Sequence, residues 1–333
     1  HYTNRLELVA ADHAPGFEAL PDPAGGVVLL GSAVPLSGAR SRSGREVGAA
    51  IAGRGDAWYQ TGPDLDAEAA LRPTDDWVEG TIEVPPGATT VTVGLRLRNT
   101  LLDTVLLYDV LLRSQGAGAL AWLDRFDRDP LAAWRWHSWF DDRFALRVLL
   151  EEEGTFREVA RIPVTGPIAW HQTAVTFPAP AAGKARLRFA SLADNWQVDW
   201  VGVSAQEAPR ARLTVIPAGE VTGPDGTAAP AALAAIRDDD DEYLSTGPGE
   251  SYTLSFPAGE PRAGQRRTWL LRSRGYYIEW LRGEWLTAAT RGPAATPEPG
   301  DAAVVAASRL WASKRERFER EFFSTRVGGE ARP

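Results

Sequence analysis

Between residues 76 and 203 the chain is cut into short β-rich runs, separated by turn residues at a spacing of roughly ten, and this rhythm limits the fold more than any other feature. A run that alternates apolar and polar side chains buries one face only, so it needs neighbours in a sheet and a second layer over its apolar side. Residues 77–84 and 89–98 flank the turn Pro85-Pro86-Gly87, which predicts an antiparallel pair. Residues 144–150 and 156–162 flank Glu151-Glu152-Glu153-Gly154 and predict a second hairpin. Residues 174–177, 185–189 and 197–203 continue the series. Short strands at such spacing predict a mainly β protein, a sandwich or a barrel, with an antiparallel β-sandwich as the leading expectation.

Outside this stretch, Leu6, Leu8 and Ala10 alternate with Arg5, Glu7 and Val9 as a first strand, and residues 32–56 read as a long loop. Residues 104–120 echo residues 3–20, which predicts a repeated strand-and-turn unit. From Glu207 the composition turns to Ala and Pro, with small residues through 217–234, before further β-rich runs at 251–256, 268–272 and 276–281. The expected organisation is a β-sandwich domain over 1–206, a smaller β unit over 207–290, a Pro-rich linker over 291–300 and a helical tail over 301–333. In that tail Asp301 is placed to cap a helix, and Val304, Ala307, Trp311, Phe318 and Phe322 fall near one face.

Lys+Arg 36 against Asp+Glu 44 leaves a formal net charge of -8, without the basic surface that nucleic-acid phosphates require. No apolar stretch approaches the roughly 20 residues of a membrane-crossing helix. Cys 0 excludes disulfides and thiolate metal sites. Met 0 and a start at His1-Tyr2-Thr3 predict a processed chain, exported to the periplasm or the cell exterior, where it could lie against a membrane.

Motifs for catalysis are missing. The four histidines, His1, His13, His137 and His171, have no metal-binding spacing, and no serine sits in a Gly-x-Ser-x-Gly elbow. Asp238-Asp239-Asp240-Asp241-Glu242 is a run of carboxylates, but neighbouring side chains diverge, so at most two or three could share an ion. The expectation is no metal and no cofactor. Were an ion held, it would be Ca²⁺ at Asp239, Asp240 and Asp241.

Two aromatic groups stand out. Trp122, Trp134, Trp136, Trp139 and Phe140 lie close together in the sequence, and Trp311, Phe318 and Phe322 mark the tail helix. Trp and Phe fill cores, anchor protein interfaces or stack on sugars. These eight residues are the candidate partner contacts.

Residues 3–20 and 238–286 resemble β-rich C-terminal regions of bacterial exported proteins of the FG-GAP and ASPIC/UnbV class. The residues that carry the resemblance are Asp12 and His13; Asp240, Asp241 and Tyr243; Gly247, Gly249 and Glu250; Arg267 and Thr268; and Gly275, Tyr276 and Tyr277. Propeller blades and calcium-loop repeats of that class are missing, so the resemblance implies export and a scaffold rather than an activity. Residues 76–98 and 194–203, with the closing run Val198-Asp199-Trp200-Val201, resemble strands of galactose-binding-like jelly rolls. Such folds host carbohydrate binding in some members and protein contacts in others. Together these features predict a non-enzymatic, extracytoplasmic structural or interaction protein: an extrinsic subunit that binds other protein subunits of a cell-envelope or membrane complex, respiratory or photosynthetic for example. The alternatives are a carbohydrate-binding module and a glycoside hydrolase of sandwich fold.

Overall fold

A computed structural model describes residues 1–55, 57–62, 65–247, 249–277, 283–287 and 298–324. Strands β1 (Tyr2–His13), β2 (Glu18–Pro21), β3 (Val27–Leu30) and β4 (Ser37–Ser41) precede two single-turn helices, α1 (Gly48–Ile51) and α2 (Asp66–Ala69). After β5 (Asp75–Val84) and β6 (Thr90–Asn99) comes a helical insertion: α3 (Leu102–Val105), a π-helix (Leu106–Leu112), α4 (Arg113–Gln115), a 3₁₀ turn (Gly116–Gly118), α5 (Ala119–Arg128) and α6 (Pro130–Phe144). Then follow β7 (Leu146–Glu152), β8 (Thr155–Ile162), β9 (His171–Pro178), β10 (Gly183–Leu192), β11 (Trp196–Ser204), β12 (Arg212–Pro217) and β13 (Glu220–Thr222). The last elements are α7 (Pro230–Ala235), β14 (Leu244–Ser245), β15 (Thr253–Ser255), β16 (Arg266–Tyr276), α8 (Gly283–Thr287) and α9 (Asp301–Ser324).

The chain is mainly β and its sheets are antiparallel. A five-stranded sheet, β4-β5-β10-β7-β8, packs against a three-stranded sheet, β11-β6-β9. Val91, Val93, Leu95 and Leu97 of β6 enter the core between them, against Val148, Leu150, Leu187 and Phe189. The hairpin expected over 144–162 forms: β7 pairs with β8 through Glu153 (φ 51) and Gly154 (φ 81), two left-handed residues whose twist suits a two-residue hairpin loop. The pair expected over 77–98 does not. β5 bonds to β4 and β10, whereas β6 bonds to β9 and β11, so Pro85-Pro86-Gly87 turns a corner between layers. A tight turn reverses the chain either way, and the more extensive pairing of β5 with β10 and β6 with β11 decides which strands meet.

Residues 104–120 also depart from expectation, since they are helical rather than a second copy of the β1 unit. Their closely set leucines suit a buried strand and a buried helix equally, and packing arbitrates. The Trp-rich interval is the hairpin α5–α6. Asp129 accepts from the N–H groups of Leu131 and Ala132 at 3.0 and 3.1 Å, and Pro130 opens α6 where no intrahelical N–H is required. These helices share a second core with α9: Leu102, Leu106, Leu111, Trp122, Phe144, Val304, Ala307 and Trp311 are all buried in it.

A third layer has β1 at its centre, bonded to β12 on one edge and to β16 and β14 on the other. The first strand of the 1–206 segment is therefore hydrogen-bonded to strands of the 207–290 segment. Its register brings Asp12 to Arg267, with two contacts of 2.5 and 2.8 Å, and His13 Nε2 to Thr268 Oγ1 at 2.9 Å. Residues 32–56 carry β4 and α1 rather than a continuous loop. Most of the 291–300 linker and the end of the tail lie outside the described residues.

Candidate functional site

The face of β11-β6-β9 that points away from the sandwich core carries a cluster of aromatic and polar groups. Alternation along β6 sends Leu95 and Leu97 inward, and therefore Arg96 and Arg98 outward. On β9 the register sets His171 opposite Leu97, so Trp170, one residue earlier, comes alongside Arg98. The Arg98 guanidinium lies 4.6 Å from the Trp170 ring centroid and 5.9 Å from that of Trp58, and the Arg96 guanidinium lies 5.0 Å from Trp170. The two indoles stand 5.9 Å apart at 58°. Trp58 is 42% exposed, because its neighbour Tyr59 is anchored inward: Tyr59 exchanges backbone hydrogen bonds of 2.7 and 2.9 Å with Val198 on the edge of β11 and donates its hydroxyl to buried Asp76.

Polar groups support these rings. Arg98 Nε donates to Gln197 Oε1 at 2.6 Å, and Gln197 Nε2 donates to Gln60 Oε1 at 2.7 Å. Arg96 is ion-paired with Asp199, whose carboxylate is fully buried and also accepts from Gly55 N–H at 3.3 Å. Asp199 sits at a register shift between Val198 and Trp200, an irregularity that re-aims side chains on a strand. Trp200 then lies across Gly94, where a Cβ would come within 2.8 Å of its ring. Arg54 stacks over Trp200 at 4.0 Å and forms two 2.7 Å bonds with Glu18. Burial holds the His171 ring below the usual histidine range, which favours its neutral form.

At the rim, α9 meets the sandwich. Asp194, in the turn between β10 and β11, has a left-handed backbone (φ 61) and is buried. Arg315 of α9 reaches its two oxygens at 3.2 and 3.3 Å. Burial, and next a hydrogen bond with the Asp66 carboxyl, raise the Asp194 carboxyl to about 8 against the opposing pull of Arg315. Burial also raises Glu319, one turn along α9, while Arg315 and Arg98 pull it down.

The residues singled out in the sequence lie elsewhere. Trp122, Trp136, Trp139 and Phe140 pack within and beneath the α5–α6 hairpin: Trp122 meets Trp136 edge-on at 5.8 Å, and Phe140 stacks on Phe144 at 4.8 Å. Only Trp134 turns outward, 64% exposed, beside exposed Leu131. Trp311 is 1% exposed in the protein's own core, which removes it from the candidate contacts: an amphipathic helix with an apolar layer in reach folds onto it. Phe318 and Phe322 pack against the same core and are partly buried. Asp239 is ion-paired with Arg274, Asp240 accepts from Glu242 N–H at 2.9 Å, and Asp241 is exposed. Among the described residues no three His, Asp or Glu side chains stand together as a metal site.

Trp58, Trp170, Arg96, Arg98 and Gln197 escaped the sequence. Their one legible signal is the Leu-Arg-Leu-Arg alternation of β6, which marks an outward basic pair but not the rings that cover it. No helix among the described residues is long and apolar enough to cross a membrane. No family model matches the chain, and no curated protein matches it. Similar solved structures include a β-glucuronidase of Bacteroides uniformis, 9% identical, with a TM-score of 0.19 over 72% of this chain and 27% of that one.

Proposed function

We propose that the chain is a non-enzymatic binding protein whose outward face on the three-stranded sheet takes a carbohydrate. The observation that supports this is the pair of tilted indoles, Trp58 and Trp170, above a row of guanidinium and amide groups. A sugar presents C–H faces that stack on aromatic rings and hydroxyls that accept from Arg98, Arg96 and the indole N–H groups. The test is glycan-array binding followed by calorimetry on the intact protein. Trp58→Ala is expected to weaken binding at least tenfold, and Trp134→Ala on the distant hairpin to leave it unchanged. Failure of every glycan to bind, or equal loss in both variants, would overturn the proposal.

Exposed Trp134 and Leu131 favour a second reading, an extrinsic subunit of an extracytoplasmic membrane complex that docks through the α5–α6 hairpin. Its test is a gentle-detergent pull-down from the native membrane fraction. Recovery of a defined complex that is lost with Trp134→Ala supports docking, and recovery of the free chain alone rejects it.

A further inference from the structure

Along α9 a cleft of about 850 Å³ opens between that helix, α8 and the π-helix, a size and composition suited to a small molecule. Among the described residues its walls include four aromatic rings, Tyr108, Trp285, Phe318 and Phe322, and two carboxylates, Asp109 and Glu321. Tyr108 and Trp285 stand 6.5 Å apart at 42°. Phe318 and Phe322 are one turn apart on α9, so both rings face the same way. Tyr108 and Asp109 both come from the π-helix, a helical form that often occurs at functional sites.

Charge selects the ligand class. Aromatic faces carry negative electrostatic potential and attract cations. The Asp109 side chain is 11% exposed, and its cation, Arg113, is at 4.0 Å with a side chain 59% exposed, a long and solvent-screened pair. Glu321 is paired with Arg317 at 2.6 Å, and both side chains are more than half exposed. A nearly buried carboxylate with such weak compensation, set among four rings, favours a positive guest and disfavours an anionic one. We infer that this cleft binds a small organic cation of the quaternary-ammonium type, through cation–π contacts with Tyr108, Trp285, Phe318 and Phe322 and the charge of Asp109.

The decisive probe is choline against its uncharged carbon isostere, 3,3-dimethylbutan-1-ol, measured on the full chain by calorimetry and tryptophan fluorescence. Choline is expected to bind at least tenfold more tightly than the isostere, and Asp109→Asn to remove most of that difference. Tyr108→Leu should weaken choline, and Trp58→Ala should not, which separates this cleft from the sheet face. Equal binding of choline and isostere would make the cleft a purely apolar pocket and overturn the inference. So would no choline binding at millimolar concentration. The comparison is made on the unaltered protein, so it stands even where a variant fails to fold.

Discussion

Two single residues illustrate how this fold spends small side chains and buried charge. Gly94 is in the middle of β6, and its missing Cβ lets Trp200 and Leu30 lie flat on the sheet. Gly94→Ala is expected to lift Trp200 and cost about 1–3 kcal/mol by overpacking, read as a drop in thermal midpoint together with a change in tryptophan fluorescence. Asp103, at the start of the helical insertion, is raised to about 6 by burial, with hydrogen bonds from Thr104 pulling the other way. Because its folded value exceeds the unfolded one, its stabilising contribution is complete below pH 4 and disappears as the pH passes 6. Asp103→Asn should flatten the stability profile in that window and stabilise the protein at pH 7 by roughly 2–3 kcal/mol, which denaturant titration at pH 4, 5, 6 and 7 measures.

At the scale of elements, α9 carries the main lesson. Its spacing of apolar residues was legible, and so was its N-terminus at Asp301. Its destination was not, since an apolar face specifies that something covers it and leaves open what. Here the cover is the helical insertion, and Trp311→Ala is expected to cost about 3–5 kcal/mol, with loss of helical circular dichroism well below the wild-type melting temperature. The rim pair of Asp194 and Arg315 ties the same helix to the sandwich. Raised chiefly by burial, Asp194 contributes most stability below pH 4, and that contribution is lost as the pH climbs through about 8. Asp194→Asn should therefore reduce the fall in melting temperature between pH 5 and 9. An unchanged slope would show that this carboxyl does not govern the window.

For the whole molecule, β1 is the joint. It is the central strand of a sheet whose other members follow about two hundred residues or more later, so this third layer cannot close until those distant strands arrive. Removal of residues 1–17 should leave β12 and β16 without their shared partner. Hydrogen exchange is expected to show loss of protection in 212–217 and 266–276 while β5 and β10 keep theirs. Equal loss in both regions would mean that the layers unfold as one unit.

Period-2 alternation determined, from the sequence alone, that this protein is a mainly β sandwich, because a one-sided apolar strand has few stable alternatives. It determined the β7–β8 hairpin too, where an acidic Gly-containing turn joins two good strands. Tertiary structure decided the rest. Whether residues 104–120 became strand or helix, which sheet received β5 and which β6, and whether Trp311 faced a partner or the protein's own core all depended on surfaces contributed by distant segments. The candidate face followed the same rule: Trp58, Arg98, Trp170 and Gln197 are scattered along the chain, and only the register of three strands and the anchoring of Tyr59 bring them within contact of one another. Local periodicity records which side of an element is apolar, and long-range packing alone settles what that side meets.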